Sequence, residues 1–272
     1  MPELPEVETV KETLKNNIIG KMIEEVYIYH NNVIEYPTVE EFTENIRNES
    51  IVNLHRRGKW LMFELNHYYL LSHLRMEGKY YIRENEEPKM LHELVKFHFS
   101  DGTSLRYHDT RKFGKMHLIE KGKELDRKPL NELGLEPWDE ALTEKYLKEK
   151  YNGKKLPIKT ALLDQSIITG IGNIYADEIL FLSYIHPLEP CSNLTKKERE
   201  IIIINTRKVL EHAIELGGTT IRTFESSEGV HGLFQNELYV HGQKKCPHCG
   251  NEIVKIKVGG RGTYYCSKCQ KK

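Results

Sequence analysis

Pro2-Glu3-Leu4-Pro5-Glu6-Val7-Glu8-Thr9-Val10 opens the chain, and the apolar residues Val7, Val10, Leu14 and Ile18 then recur at helical spacing until Gly20. The spacing predicts a helix over residues 3–19. Pro5 is compatible with its first turn, where the backbone amides have no acceptor within the helix to lose. The same stretch puts chemistry at the helix tip. Pro2 is small enough to allow removal of Met1, which would leave a secondary α-amine beside Glu3, with Glu6 one turn on. An α-amine titrates near about 8, against about 10.4 for lysine, so a useful fraction is neutral and nucleophilic at cytosolic pH. An iminium formed by a secondary amine stays cationic and serves as an electron sink for eliminations. Read without context, the same residues also do no more than start a helix and complement its dipole.

Beyond Gly20 the pattern changes to short β-rich runs at residues 26–29, 60–65, 68–71, 80–83, 94–99, 104–107 and 115–119, with Asp101-Gly102 the clearest turn. So many short strands in about a hundred residues predict a β-sandwich or barrel. Residues 121–140, with Gly122, Pro129, Gly134 and Pro137, read as a linker, and residues 140–216 as helical. Thr195 followed by Glu198 marks a capping-box start for the longest helix, which ends at Gly217-Gly218. Residues 219–240 have no period and read as a loop.

Of the 272 residues 29% are charged and 39% hydrophobic, and no apolar run approaches the roughly 20 residues of a membrane span. The N-terminus lacks the apolar block of a secretory leader, so a cytoplasmic protein is expected. Lys and Arg balance Asp and Glu at 40 each, which by itself argues against a nucleic-acid partner. The distribution argues otherwise: residues 1–150 carry about −5, 151–240 about −2 and 241–272 about +7. That basic tail holds four of the five cysteines, as Cys246-x2-Cys249 and Cys266-x2-Cys269, while Cys191 stands alone. Two such knuckles in a reducing compartment read as one structural Zn2+ bound by four thiolates, with two disulfides or a redox pair as the alternative.

PELPEVETV (2–10), RRGKWL (56–61), SHLRMEGKY (72–80), DTRKFG (109–114), GIGNIYADE (170–178), GGTTIR (217–222) and GRGTYYCSKCQ (260–270) follow one another along nearly the whole chain. Together they resemble the bacterial formamidopyrimidine-DNA glycosylase family, the 8-oxoguanine DNA glycosylases and AP lyases. The resemblance implies an α+β multidomain fold: an N-terminal β-sandwich led by a helix (2–130), a helical domain with a helix-two-turns-helix element (131–222), a base-capping loop (223–238) and a four-cysteine zinc-ribbon hairpin (239–272). It implies a monomer acting on double-stranded DNA with oxidised purines opposite cytosine.

Carried over residue by residue, Pro2 becomes the Schiff-base nucleophile and Glu3 the general acid. A carboxyl beside a cationic amine needs burial to keep its proton near neutral pH. Glu6 becomes a supporting carboxylate and Lys59 the proton donor in β-elimination. Arg261, at the hairpin tip, contacts phosphate and assists δ-elimination, for which a five-donor fork between glycines is suited. Met76, Arg111 and Phe113 match the trio that fills the gap left by a flipped nucleotide, an apolar wedge with an arginine facing the orphaned cytosine. His92, Lys155 and Asn173 match DNA-contacting positions. His92 matches least well, because the family often has a second histidine where this chain has Leu94. Thr160 stands where proline is common and His241 where tyrosine is usual. The residues alone leave ordinary alternatives: a solvated turn lysine at Lys59, a core pair at Met76 and Phe113, and an N-cap at Asn173. Rival activities are an endonuclease VIII-like enzyme for oxidised pyrimidines, a non-catalytic zinc-dependent sensor of damaged DNA, and a zinc-ribbon protein acting on RNA.

Overall fold

The first helix, α1 (Leu4–Ile18), buries Leu4, Val7, Val10, Leu14 and Ile18, the stripe that its sequence spacing marks. It belongs to a computed structural model that describes residues 1–219 and 232–271. The chain divides into two units, residues 1–131 with 217–232, and residues 132–216 with 233–272. The base-capping segment expected around residues 223–238 falls largely outside the described residues; of it, Phe234–Asn236 form a short 3-10 turn.

In the first unit the strands are β1 (Ile23–Ile28), β2 (Ile34–Tyr36), β3 (Asn53–Arg57), β4 (Trp60–Glu64), β5 (Tyr68–His73), β6 (Lys79–Glu84), β7 (Glu93–Phe99), β8 (Thr103–His108) and β9 (Lys115–Glu120). They form a four-stranded sheet, β1-β7-β8-β6, and a five-stranded sheet, β2-β9-β5-β4-β3. All pairs are antiparallel except β2 with β9. Alternation along β7 turns Val95, Phe97 and Phe99 inward, where they meet Leu61, Phe63 and Leu70 of the other sheet in one core. Val7, Val10 and Leu14 of α1 join that core, so burial of its stripe fixes the catalytic-looking tip to the sandwich.

The sequence reading missed two strands and a helix here. β2 is three residues long, and β3 reads His55-Arg56-Arg57 over most of its length, with only Leu54 fully buried, so neither shows apolar alternation. Helix α2 (Val39–Ile46) buries only Phe42 and Ile46. Its start was legible: Thr38 Oγ1 accepts from the Glu41 amide at 3.2 Å while Glu41 accepts from the Thr38 amide at 3.2 Å, a capping box.

The second unit contains α3 (Glu144–Tyr151), α4 (Ile158–Leu162), α5 (Asn173–Leu182), α6 (Lys196–Glu215) and the hairpin β10 (Val254–Val258) and β11 (Arg261–Tyr265). The capping box at Thr195 forms, with Glu198 accepting from the Thr195 amide at 2.7 Å. Phe181 of α5 shares a small core with Val240, Cys246 and Cys266. Buried Glu178, one turn earlier on α5, accepts the backbone amides of Tyr239, Val240 and His241 at 2.7, 3.1 and 2.9 Å. No helix among the described residues is long and apolar enough to cross a membrane.

Candidate active site and nucleic-acid interface

Pro2, Glu3, Glu6 and Lys59 are all buried, Glu3 to 3% and Lys59 to 6% exposure, which for an acid and a lysine is unusual without function or pairing. Glu6 organises the helix tip. One of its oxygens accepts the Glu3 amide at 2.8 Å; the other accepts the Thr219 amide and hydroxyl at 2.8 and 3.0 Å. Gly218 must lack a side chain at this contact, because a Cβ there would lie 2.7 Å from Glu6 Oε1 on a backbone at φ +77°. Lys59 follows Gly58, at φ +57°, in the tight turn between β3 and β4. Arg56 braces that turn, donating to the Gly58 carbonyl at 2.9 Å and to Glu8 of α1 at 2.7 Å.

The α-amine present belongs to Met1, directly ahead of Pro2. Burial lowers its pKa from the ordinary value of 8.0, opposed by the charges of Glu3, Glu6 and Glu77 and aided by that of Lys59. An amine in these surroundings is neutral at lower pH than a free one, the condition a nucleophile needs.

Behind Lys59, Trp60 sits edge-on between His73 and His117, with ring centroids 4.8 and 5.4 Å away. Burial pushes His73 down to about 3 and His117 to about 4, and the charges of Arg75 and Lys59 add to the effect on His73. Both rings are therefore neutral at pH 7. His73 Nδ1 accepts the Arg75 amide at 2.9 Å. The linkage follows: the unfolded chain binds a proton to His73 below its ordinary value of 6.5, the folded chain only near 3. Stability should be level above pH 7 and fall as pH drops through that window, by up to about 1.4 kcal/mol per pH unit for such a group. Melting temperatures from pH 7 to 4.5 check this, with His73→Phe expected to give the shallower slope; equal slopes would remove His73 as the cause.

Met76, Arg111 and Phe113 lie on two adjacent turns of the first unit. Phe113 is 49% exposed, so it is not a core residue, and the Arg111 guanidinium lies 4.8 Å from its ring centre. Buried Asp109 shapes the second turn by accepting the amides of Arg111, Phe113 and Gly114 at 2.9, 2.8 and 2.8 Å. The two turns rest on one side chain. A Cβ on Gly78 would lie 2.4 Å, and one on Gly114 1.8 Å, from the Tyr107 hydroxyl, so both backbones press against that ring. Thr110 also donates to Glu77 across the turns. His92 is exposed at φ +63°, and its carbonyl accepts the Asp109 amide at 3.1 Å, tying it to the same framework.

In the second unit Gly172 is the N-cap of α5 and Asn173 its first helical residue, which overturns the N-cap alternative for Asn173. Asn173 Nδ2 donates to the Gly262 carbonyl at 2.9 Å, so the helix start and the β10–β11 hairpin are joined next to exposed Arg261. Lys155 is exposed in the segment between α3 and α4.

The four cysteine sulfurs lie within 4.8 Å of one another, Cys246 to Cys269 at 3.8 Å and Cys249 to Cys266 at 3.5 Å. Disulfide sulfurs would stand at about 2.05 Å. Tetrahedral bonds of about 2.3 Å give sulfur separations near 3.8 Å, so the donor set fits one Zn2+ and the disulfide alternative does not hold.

The structure thus brings Pro2, Glu3, Glu6 and Lys59 together, gathers Met76, Arg111, Phe113 and His92 on a connected set of turns, and joins Asn173 to the Arg261 hairpin. Sequence reasoning missed Asp109, Tyr107 and His73. Asp109 had a signal, since an Asp at the head of a glycine-containing turn commonly accepts amides two residues on. Tyr107 and His73 had none, because only packing reveals what they support.

Residues 1–116 match the model of the formamidopyrimidine-DNA glycosylase N-terminal domain, 133–225 that of the formamidopyrimidine-DNA glycosylase H2TH domain, and 243–272 a zinc finger found in FPG and IleRS. A formamidopyrimidine-DNA glycosylase of Oceanobacillus iheyensis is 50% identical over 99% of this chain and 98% of its own. That of Bacillus subtilis is 46% identical over all of both chains. A mutant FPG of Lactococcus lactis, solved in complex with a Fapy-dG containing DNA, superposes with a TM-score of 0.93 at 38% identity, covering 100% of each chain.

Proposed function

This chain belongs to the formamidopyrimidine-DNA glycosylase family, and from that premise we propose that it excises oxidised purines, 8-oxoguanine and formamidopyrimidines, from duplex DNA through a Schiff base on Pro2. The coarser activity comes with the family: it is a DNA glycosylase and AP lyase of base-excision repair, with DNA as its partner and one structural zinc ion. The observation that carries the finer reading is the convergence of Glu3, Glu6 and Lys59 on the amine end of α1.

With Met1 removed, the Pro2 nitrogen attacks C1′ and the bond from C1′ to the base breaks, Glu3 giving the departing base its proton. The nitrogen then sheds its own proton to the Glu3 carboxylate, buried beside it, which passes that proton to O4′ as the nitrogen lone pair opens the sugar to the iminium. Loss of a C2′ proton then expels the 3′ phosphate, and loss of a C4′ proton expels the 5′ phosphate. Hydrolysis frees Pro2 and leaves a one-nucleotide gap with phosphate at both ends. Lys59 is the charged group placed to move a proton in the elimination. Glu6 accepts amides at both of its oxygens, so it fixes the tip and does not compete for the sugar. Met76, Arg111 and Phe113 fill the space of the extruded nucleotide and face the cytosine, while His92, Lys155, Asn173 and Arg261 hold phosphates, positioning the duplex without reading its sequence.

Borohydride trapping on a duplex with 8-oxoguanine opposite cytosine, with the adducted peptide sequenced by mass spectrometry, tests this. The expected adduct is on an N-terminal Pro2. An adduct on Lys59 would replace the nucleophile; trapping only with an oxidised pyrimidine would move the substrate class to the endonuclease VIII-like alternative.

A further inference from the structure

One buried carboxylate of the second unit ties α4, β11 and the segment at His241 to the helix that carries Asn173. Asp177 lies on α5, one turn after Asn173, with its side chain wholly out of solvent. Its Oδ1 receives the Lys159 ammonium at 2.5 Å. Its Oδ2 receives His241 Nδ1 at 2.6 Å and the Tyr264 amide at 3.1 Å. Lys159, also buried, donates as well to the Asn173 carbonyl at 2.7 Å. The Asn173 side chain in turn donates to the Gly262 carbonyl, the residue after Arg261. Helix α5, strand β11 and the segment at His241 are therefore closed into one hydrogen-bonded ring.

Each member answers a physical demand. A buried carboxylate is costly unless both oxygens are satisfied, and its Lys159 partner covers only one of them. His241 and the Tyr264 amide complete the other. The His241 ring also leans on Tyr264, its centroid 4.8 Å from the tyrosine's at 61°. The hairpin turns through glycines at φ +53° and +80° just before Arg261, with Gly259 close against Thr160, so the direction of the arginine follows from how the hairpin is seated.

We propose that His241, held by Asp177, is a positioning residue for Arg261: it locks the β10–β11 hairpin in register with Asn173, so both groups meet the DNA backbone already oriented. The inference rests on the phosphate-binding reading of Arg261 and Asn173 given above. Pre-organisation of this kind acts on affinity by sparing the ordering cost on binding.

The test uses the full-length zinc-loaded protein and a duplex carrying an abasic-site analogue opposite cytosine. His241→Phe keeps an aromatic ring against Tyr264 and removes the donor; His241→Asn offers an amide donor near the Nδ1 position. His241→Phe is expected to weaken binding about tenfold at 0.1 M salt and to reduce the slope of log affinity against log salt by about one, as for one lost phosphate contact. His241→Asn should recover most of the affinity, zinc should stay at one per chain, and His241→Phe should cost far less on top of Arg261→Ala than it does in the parent. A lower melting temperature with an unchanged slope would make the link structural only and overturn the proposal, as would full additivity with Arg261→Ala. If Arg261→Ala itself binds like the parent, the phosphate reading falls and the inference with it.

Discussion

Glu3→Gln is expected to bind a duplex with an abasic-site analogue as tightly as the parent and to release base from 8-oxoguanine at a rate lower by about 10²–10⁴, the usual range for loss of a positioned general acid. The substitution is nearly isosteric, and the Glu3 backbone amide keeps its bond to Glu6, so the helix tip should hold its shape. What disappears is the group that can deliver a proton beside the amine. Pro2→Gly should be equally inactive in base release with binding retained, because the secondary amine is lost. Single-turnover rates read together with affinities check both. Loss of binding in both variants would indicate a collapsed tip, and retained turnover in Glu3→Gln would end the acid assignment.

Replacement of all four zinc cysteines by serine should be the most damaging change in the second unit, abolishing DNA binding. A four-thiolate site of this kind stabilises its small module by roughly 10 kcal/mol or more, and no large core compensates: Cys246 and Cys266 are themselves half of the buried cluster with Phe181 and Val240. Zinc content by atomic absorption should fall to zero and affinity for damaged duplex to background. Binding and cutting by the zinc-free variant at the parent's level would refute any part for the hairpin in holding DNA.

The elements legible in the sequence were those with a repeating physical pattern. The stripe of α1, the strands from β4 to β9 and the capping box of α6 follow periodicity and cap chemistry that a single segment displays by itself. β3 escaped because its arginines are half-buried by neighbours distant in sequence, among them Glu8 against Arg56. The site divides along the same line. Pro2, Glu3 and the cysteines stand in motifs, and the resemblance supplied Lys59, Arg261 and the wedge residues. Asp109, Tyr107 and the ring around Asp177 were invisible, since an aspartate or a tyrosine acquires such a role only when folding brings separate turns against it.

Glu178 and its neighbours carry one more implication, for modularity. Three consecutive amides ahead of the first zinc cysteine end on that buried glutamate, and at the far side Gln270 donates to the Ile185 carbonyl at 2.9 Å while accepting the Cys266 amide at 2.9 Å. The metal module is thus soldered at both ends to one helix and its following turn. It is not interchangeable hardware: a finger transplanted from another protein would arrive without those donors and leave a buried carboxyl group without its partners in the interior of its host.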